Sequence, residues 1–207
     1  RKGLVIKVGV LELQGDFALH HDILQRIGIE SIAVKMPSDL DKIEGLVIPG
    51  GESTTISLLI NTYNMFNPLV RFGMSNPIMG TCAGLIMMAK VVNDNRINPL
   101  GLIDIVVERN AYGRQIESTK EEVEFVFRDN HKIKLVTTLI RAPRITELSS
   151  NIKVLGEYNN SPIAILAGHH LGLSFHPELD EIDIFHRIIF DKKSKFYYKK
   201  LEHSDVA

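Results

Sequence analysis

Ile78-Met79-Gly80-Thr81-Cys82-Ala83-Gly84-Leu85-Ile86 is the stretch that decides the fold, and it holds the only cysteine of the 207-residue chain. An apolar, strand-like run meets a turn flanked by two glycines, and a helix-like run follows. A side chain at the apex of such a turn projects away from the backbone, so the G-x-C-x-G frame predicts a nucleophile elbow at Cys82. The helix N-terminus behind the sulfur favours the thiolate, the reactive form of cysteine. A lone cysteine is otherwise most often a small buried hydrophobe, and the two glycines are what favour the elbow.

Strand and helix patterns alternate before this turn. Residues 4–11 are mostly apolar and β-branched, which is typical of a strand buried on both faces of a parallel sheet. Residues 17–27 have helical spacing and end at Gly28, a helix-capping residue. The buried stripe of this helix is predicted to be Ala18, His21, Leu24 and Ile27. The other elements predicted before the turn are strands at 31–35 and 45–49 and helices at 38–40 and 53–72.

The segments after the turn predict a change to antiparallel pairing. Short alternating runs at 103–108, 122–127 and 134–140 are typical of antiparallel strands added at the edge of a sheet. The remaining predicted elements are a hairpin of 154–158 and 163–167 around Asn159-Asn160-Ser161, a strand at 171–175 and an amphipathic helix at 183–198. Together they predict an α/β fold with a mostly parallel central sheet flanked by helices and with antiparallel edge strands. Because the chain has no internal repeats and no long linker, one domain is predicted over residues 1–207.

The composition excludes several classes of function. Lysine and arginine number 24 against 25 aspartates and glutamates, so no broad charge directs the chain to nucleic acid or to an anionic membrane. No apolar run reaches the ~18 residues that a membrane-spanning helix needs. A single cysteine excludes an internal disulfide and a cysteine-rich zinc site, and it favours a cytoplasmic location. Because the chain begins at Arg1 rather than Met, an upstream targeting segment stays open.

Two pairs of adjacent histidines, His20-His21 and His169-His170, raise the question of a metal site. Neighbouring residues on a strand face opposite sides, and no cysteine or third carboxylate stands at ligand spacing. We therefore expect no metal and no cofactor.

A base for the thiol is offered by His176-Pro177-Glu178, which follows a predicted buried strand. Attack by a thiolate on a carbonyl requires a base, a group that orients the base, and donors for the oxyanion. One rigid proline separates the two side chains, so Glu178 can hold His176 in the tautomer that accepts the thiol proton. Such a run alone is weak support, because many histidines have only a structural role. Paired with an elbow cysteine, it predicts a Cys-His-Glu triad.

The oxyanion donors are expected from the turn Pro49-Gly50-Gly51-Glu52. A simple strand-to-helix connection has the same composition, so the turn alone does not decide its function. The functional interpretation pairs the backbone N–H of Gly51 with that of Ala83, which follows the nucleophile. A phosphate cradle is the alternative, but the loop lacks the Gly-Lys-Ser ending of a P-loop.

In this order and in this β-α frame, the three motifs resemble those of the class I, or triad, glutamine amidotransferases. The resemblance is closest to the glutaminase subunits of pyridoxal 5'-phosphate synthase, and it covers nearly the whole chain. Two stretches narrow it to that family, Arg109-Asn110-Ala111-Tyr112-Gly113-Arg114-Gln115 and Ile140-Arg141-Ala142-Pro143. The other stretches that carry it are Gly9-Val10-Leu11, Leu13-Gln14-Gly15, 49–54, 80–85 and 174–179.

The resemblance implies a role for each matching residue. Cys82 is implied to be the nucleophile, His176 the general acid-base, and Glu178 the residue that orients it. Free glutamine carries a carboxylate and an ammonium group, so its site needs a cation and an anion, which Arg109 and Glu52 would supply. An exposed arginine is more often simply solvated, which is the alternative for Arg109 and Arg141. The implied glutamine contacts are Gly51, Glu52, Ser53, Arg109, Ile140 and Arg141.

The resemblance also implies the reaction and the partner. The chain would hydrolyse L-glutamine to L-glutamate and ammonia through a cysteine thioester. The ammonia would pass to a synthase subunit, a (β/α)8 barrel that assembles pyridoxal 5'-phosphate, within a large hetero-oligomer. The isolated subunit would be poorly active until the Gly50-Gly51 peptide turns its N–H toward the oxyanion, a flip that glycine makes sterically easy.

Two alternative functions stay open. A γ-glutamyl hydrolase or peptidase relative would keep Cys82 and His176 but would need a wider pocket, and activity on γ-glutamyl peptides would favour it. A regulatory or scaffolding subunit would keep a site that no longer catalyses. In that case Cys82 would react no faster with a glutamine-like alkylator than with a generic one. The intact set of Cys82, His176 and Glu178 argues against this second alternative.

Overall fold

The computed structural model describes residues 6–109, 118–128 and 131–202. Its helices are α1 (Ala18–Arg26), α2 (Ser53–Thr62), α3 (Phe66–Ser75), α4 (Ala83–Met88), α5 (Ile184–Phe190) and α6 (Tyr198–Glu202), with 3-10 turns at Pro37–Lys42 and Pro177–Asp180. Its strands are β1 (Lys7–Leu11), β2 (Glu30–Val34), β3 (Gly45–Ile48), β4 (Ile78–Thr81), β5 (Ala89–Val92), β6 (Ile103–Glu108), β7 (Thr119–Arg128), β8 (His131–Leu139), β9 (Arg144–Leu148), β10 (Lys153–Tyr158), β11 (Ser161–Ala167) and β12 (His170–Leu173).

The large sheet confirms the predicted α/β fold. Within the described residues its nine strands lie in the order β2-β1-β3-β4-β12-β11-β10-β7-β8. The strands from β2 to β12 pair in parallel, and the pairs from β12 to β8 are antiparallel. The predicted hairpin is β10-β11, and its turn residues Asn159 and Asn160 have φ of 49° and 58°, as a two-residue type I′ turn requires.

Side chains of the parallel strands alternate between two core layers. In β3, Leu46 and Ile48 pack in the layer that includes the helices α2, α3 and α4. Val47, between them, packs in the layer that includes Leu24 of α1 and Ile188 of α5. Burial on both faces explains why these strands are continuously apolar. Among the helices of the described residues, none is long and apolar enough to cross a membrane.

The predicted strand at 103–108 forms, but not at the edge of the large sheet. It is β6, which pairs in parallel with β5 and antiparallel with β9 in a separate three-stranded sheet. Its own residues alternate in burial, which identifies a strand. The pattern carries no information about its partners, because those come from segments distant in sequence.

The helix predicted at 53–72 is two helices, and that prediction was wrong about its continuity. The chain leaves α2 at Tyr63 and passes through Asn64, whose φ is 56°, before α3 begins at Phe66. Pro68 explains the break, because it lacks the N–H that a continuous helix would bond to the carbonyl of residue 64. In the first turn of a new helix that N–H is not needed.

The helix predicted at 183–198 was also too long, since α5 ends at Phe190. The carboxylate of Asp191 accepts the N–H of Lys193 at 3.0 Å, and the hydroxyl of Ser194 accepts the N–H of Phe196 at 3.1 Å. Short polar side chains that bond the local backbone compete with helix formation in this way.

The predicted buried stripe of α1 is confirmed at Leu24 and was wrong at its other positions. The buried residues of this helix are His20, Ile23 and Leu24, whereas Ala18 is exposed and His21 is only partly buried. The interior histidine of this helix is therefore His20 and not the predicted His21.

Candidate active site

The carboxyl ends of three parallel strands bring the predicted motifs to one edge of the sheet. Thr81 of β4 lies beside Leu173 of β12, and Gly80 of β4 lies beside Ile48 of β3. Because these strands end at the same level, the segments that follow them converge. The elbow, the His-Pro-Glu run and the Gly-Gly turn thus lie together although they are far apart in sequence.

Cys82 has the strained backbone expected of an elbow. Its φ is 50° and its ψ is −105°, a conformation that non-glycine residues rarely adopt. Its N–H donates to the carbonyl of Leu173 at 2.8 Å. A Cβ on Gly80 would lie 2.6 Å from the carbonyl carbon of Gly84, and a Cβ on Gly84 would lie 1.9 Å from the carbonyl oxygen of Ile48. Both glycines of the frame are therefore required by the close packing of α4 on the sheet.

His176 and Glu178 form a buried pair. Nδ1 of His176 lies 2.7 Å from Oε1 of Glu178, and the two residues are 7% and 2% exposed. The N–H of His176 donates to the carbonyl of Thr138 at 3.3 Å. The carboxylate of Asp180 accepts the N–H and the hydroxyl of Thr138 at 2.6 and 2.8 Å. These bonds fix the turn that carries Glu178 against the end of β8.

The charge of His176 depends on its two neighbours. Burial opposes the imidazolium, but the hydrogen bonds and charges of Cys82 and Glu178 outweigh burial and raise the pKa of His176 to about 10. A raised pKa favours the protonated imidazole at neutral pH, and an imidazolium is the acid that a departing amine requires. The sulfur also lies 3.9 Å from the carbonyl oxygen of Ile140.

The Gly-Gly turn packs directly on the imidazole. A Cβ on Gly50 would lie 2.4 Å from Cε1 of His176, so only glycine leaves the ring in place. The carbonyl of Gly50 accepts the N–H of Asp16 at 3.3 Å. Since the C=O and N–H of a trans peptide point in opposite directions, the N–H of Gly51 is directed away from Asp16.

One contact of Gln14 and the burial of Ala83 describe the surroundings of the expected oxyanion donors. Oε1 of Gln14 accepts the N–H of Glu52 at 2.8 Å. The loop between β1 and α1 is therefore bonded to the residue that follows the two glycines of the turn. Ala83 is 1% exposed and is the first residue of α4. Its N–H has no acceptor within its own helix, because the first N–H groups of any helix lack one.

The charged residues expected to bind glutamine are paired with each other. The carboxylate of Glu52 caps α2 by accepting the N–H of Thr54 at 3.2 Å and that of Thr55 at 2.7 Å, and it lies 2.8 Å from Nη2 of Arg109. Nη1 of Arg109 lies 2.8 Å from Asp94. Burial raises the pKa of Glu52, but the hydrogen bonds from both threonines outweigh it and lower the pKa to about 2. Glu52 is therefore a charged helix cap whose charge Arg109 already compensates.

The other predicted contacts differ in exposure. Ser53 is 3% exposed at the start of α2, whereas Arg141 is exposed and has a φ of 44°. Residues 110–115, which helped to narrow the resemblance, lie outside the described residues. Within the described ranges, no three His, Cys, Asp or Glu side chains are grouped as metal ligands would be.

Sequence reasoning gave no role beside the predicted triad to three polar residues that lie near it. Asp180 anchors the turn of Glu178, as described above. His20 of α1 and His186 of α5 are both fully buried, and Nε2 of His20 lies 3.6 Å from Oε1 of Glu178. The available signal for burial of His20 was its helical spacing, because Ile23 and Leu24 follow it by three and four residues and lie on the same face of α1. Nothing in the local sequence indicates the position of His186.

Comparisons with known proteins identify the family of the chain. The family model described as "SNO glutamine amidotransferase family" matches residues 10–193. This chain belongs to that family. The chain is 42% identical over 189 residues to the pyridoxal 5'-phosphate synthase subunit PdxT of Solibacter usitatus, covering 90% of this chain and 98% of the relative. It is 40% identical over 187 residues to the PdxT subunit of Thermotoga maritima, with the same two coverages.

Two solved structures share the fold of this chain. One described as a glutamine amidotransferase has a TM-score of 0.81 and 38% identity, and the match covers 88% of this chain and 96% of the other. The structure of PurLQS from Thermotoga maritima matches 92% of this chain and 100% of the other with a TM-score of 0.67 at 15% identity. At that identity the likeness shows the fold alone.

Proposed function

We propose that this chain hydrolyses L-glutamine to L-glutamate and ammonia, with Cys82, His176 and Glu178 as its catalytic residues. The observation that carries the proposal is the position of the Cys82 elbow at the end of β12, the strand that leads into His176, whose Nδ1 lies 2.7 Å from a buried carboxylate. The sulfur attacks the side-chain amide carbon, His176 protonates the departing ammonia, and water then releases glutamate from the γ-glutamyl thioester. Membership of a glutamine amidotransferase family supports amide nitrogen as the leaving group.

The N–H groups of Gly51 and Ala83 are the proposed oxyanion donors. The carbonyl of Gly50 is held by Asp16 at 3.3 Å, so this peptide has a defined orientation at rest. If catalysis needs the opposite orientation, the flip breaks one long hydrogen bond, which costs about 1 kcal/mol. A docking partner that competes for this bond would switch the site on. This is the physical support for low activity of the isolated subunit.

We place the substrate between the Gly-Gly turn and the end of β8, in contact with Gly51, Glu52, Ser53, Arg109, Ile140 and Arg141. Because Arg109 is paired with Glu52 and Asp94, binding of the substrate carboxylate is expected to replace one of these partners. The Glu52 carboxylate, freed from Arg109 but still capping α2, then faces the substrate ammonium.

The partner we propose is the synthase subunit of pyridoxal 5'-phosphate synthase, a (β/α)8 barrel, in a large hetero-oligomer. The relatives named as PdxT subunits of that synthase support it, because the matches cover nearly their full length. In this proposal the chain is one glutaminase domain over residues 1–207, and its product ammonia serves pyridoxal 5'-phosphate synthesis. The cytoplasm is the expected compartment, since the proposed nucleophile must stay a reduced thiol.

The test is glutamate release from glutamine by the chain alone and mixed with a synthase subunit, beside a Cys82→Ala control. We expect hydrolysis that rises with the partner and falls by about six orders of magnitude in the control, since triad members act as a unit. Equal activity with and without the partner would refute activation of the site by the partner, but it would leave the proposed glutaminase activity standing. Hydrolysis of γ-glutamyl peptides in preference to glutamine would refute the substrate.

A further inference from the structure

A row of buried polar side chains continues behind the triad. Nε2 of His20 lies 3.6 Å from Oε1 of Glu178, and Nδ1 of His20 lies 2.9 Å from Nε2 of His186. All three side chains are essentially inaccessible to solvent. The elements that contribute them, α1, α5 and the turn after β12, are distant in sequence. The row therefore forms only in the folded protein.

Both histidines of this row are neutral at the pH of the cytoplasm. Burial lowers the pKa of His20 to about 3, although the charge of Glu178 opposes this. Burial likewise lowers the pKa of His186 to about 3, and the charge of Arg26 adds to the effect. A neutral imidazole carries one N–H, so one ring nitrogen of each histidine donates and the other accepts.

The contacts select one tautomer for each ring. If Nδ1 of His20 carried the proton, its Nε2 lone pair would face the Glu178 carboxylate, and His186 would bury its Nδ1–H without an acceptor. With the proton on Nε2, His20 instead directs an N–H at the carboxylate, and Nε2–H of His186 donates to Nδ1 of His20. The first arrangement turns a lone pair toward a carboxylate and buries an N–H with no acceptor near it, at a cost of about 1–3 kcal/mol. The second directs the N–H of His20 at a carboxylate oxygen 3.6 Å away, so the second is favoured.

The carboxylate of Glu178 has an unoccupied hydrogen-bond acceptor position for the N–H of His20. Among the contacts of the described residues, Oε2 of Glu178 and Nε2 of His20 are buried without a hydrogen-bond partner. A carboxylate with two oxygens accepts about four hydrogen bonds, and His176 uses one of them. A small movement from the present 3.6 Å brings the His20 donor into range.

From this arrangement we infer that His20 is a positioning residue, whose Nε2–H holds the Glu178 carboxylate in line with His176 and whose own tautomer is set by His186. This inference rests on the proposed glutaminase function. Without the donor, the carboxylate is free to rotate away from Nδ1 of His176. A shift of about 1 Å in a catalytic group costs about a hundredfold in rate.

Two substitutions of His20 separate this role from simple packing. Gln places an N–H donor near the position of Nε2, whereas Asn places its amide near Nδ1 and leaves Glu178 without a donor. In the complex with a synthase subunit, we expect His20→Gln to stay within about threefold of the wild-type kcat and His20→Asn to lose about ten- to a hundredfold. KM for glutamine should stay the same in both, because His20 does not touch the substrate site.

The matched control is the neighbouring His21, which is partly exposed and bonds Ser31 and Glu12 rather than Glu178. His21→Asn and His21→Gln are expected to have equal kcat values. If His20→Asn folds with wild-type kcat, or if Gln and Asn at residue 20 lower kcat equally, the positioning role is refuted.

The tautomers are measured on the unsubstituted protein, which removes any dependence on folding of the variants. Two-bond 1H–15N correlation spectra of the imidazoles should show His20 protonated at Nε2 and unprotonated at Nδ1, with His186 protonated at Nε2. A proton on Nδ1 of His20 would overturn the inference. Because this measurement needs no substrate, it stays decisive even if glutamine is not hydrolysed, an outcome that refutes only the proposed function.

Discussion

Substitution of Gly50 by alanine tests how strongly the Gly-Gly turn supports the imidazole of His176, the proposed general acid-base. The added Cβ would lie 2.4 Å from Cε1 and 3.1 Å from Nδ1 of His176. Ordinary van der Waals contact begins near 3.4 Å, so the ring or the turn must move by about 1 Å. The φ of Gly50 is not among the positive values of the chain, so the alanine backbone itself is unstrained. Any change in activity or stability of the Gly50→Ala variant is therefore expected to come from the contact of the new Cβ with the His176 ring.

Displacement of the ring by about 1 Å is expected to lower kcat for glutamine hydrolysis about a hundredfold. The bond of 2.7 Å between Nδ1 and Glu178 limits how the ring can retreat, so part of the strain should appear as a lower melting temperature. KM should change less, because the proposed substrate contacts lie on other residues. The assay is glutamate release in complex with a synthase subunit, with circular dichroism on the same samples.

Gly168→Ala is the matched control for a general loss of stability. Gly168 lies in the β11–β12 turn, at the end of β12 opposite the site, with a φ of 57° and no heavy atom within 4 Å of an added Cβ. Left-handed backbone costs an alanine about 1–2 kcal/mol, so this variant should melt earlier yet keep its kcat. If Gly50→Ala keeps wild-type kcat while remaining folded, the turn does not support His176 and the reasoning fails.

Three further outcomes follow from the described contacts. Arg109→Gln is expected to raise KM for glutamine about tenfold with a smaller change in kcat, and an unchanged KM would mean that this arginine only neutralises its acidic neighbours. Thr138→Val removes a hydroxyl bonded to Asp180 at 2.8 Å, so it should destabilise the fold by about 1 kcal/mol in denaturant titrations, and no change would show that the bond is dispensable. The pKa values of His20 and His186 lie near 3 in the folded chain against 6.5 when unfolded, so stability is present above pH 6.5 and is lost as the pH falls toward 3. His186→Leu should reduce that slope by up to about 1.4 kcal/mol per pH unit, and an unchanged slope would show that this ring does not titrate as described.

The elbow and the Gly-Gly turn could be predicted because their requirements are local. Gly80 and Gly84 are needed on either side of Cys82 because the helix after the strand packs within contact distance of the sheet. All the residues that meet this requirement lie within five consecutive positions. The helix break before Pro68 was equally readable, since a proline cannot donate to the residue four places earlier. The error there came from following the apolar spacing alone.

The partners of charged and polar residues could not be predicted in this way. Glu52 and Arg109 were expected to bind opposite ends of one substrate, yet they lie 2.8 Å from each other because β6 brings Arg109 back to the start of α2. Spacing in a sequence gives the face on which a residue lies, and it gives no distance to a residue on another element. Long-range pairing of this kind is decided by topology.

The burial of His20 shows why the stripe of α1 was predicted with the wrong histidine. An imidazole in an apolar interior is unfavourable unless its N–H finds an acceptor, and spacing does not show which of two adjacent histidines has one. Here the acceptor is offered by a carboxylate in the turn after β12, and the second ring nitrogen is satisfied by a histidine of α5 at 2.9 Å. Each of the three groups is costly to bury alone, and their contacts with one another offset part of that cost. Where a predicted apolar face turns out to contain a polar side chain, the group that satisfies it is therefore the first place to look for a function.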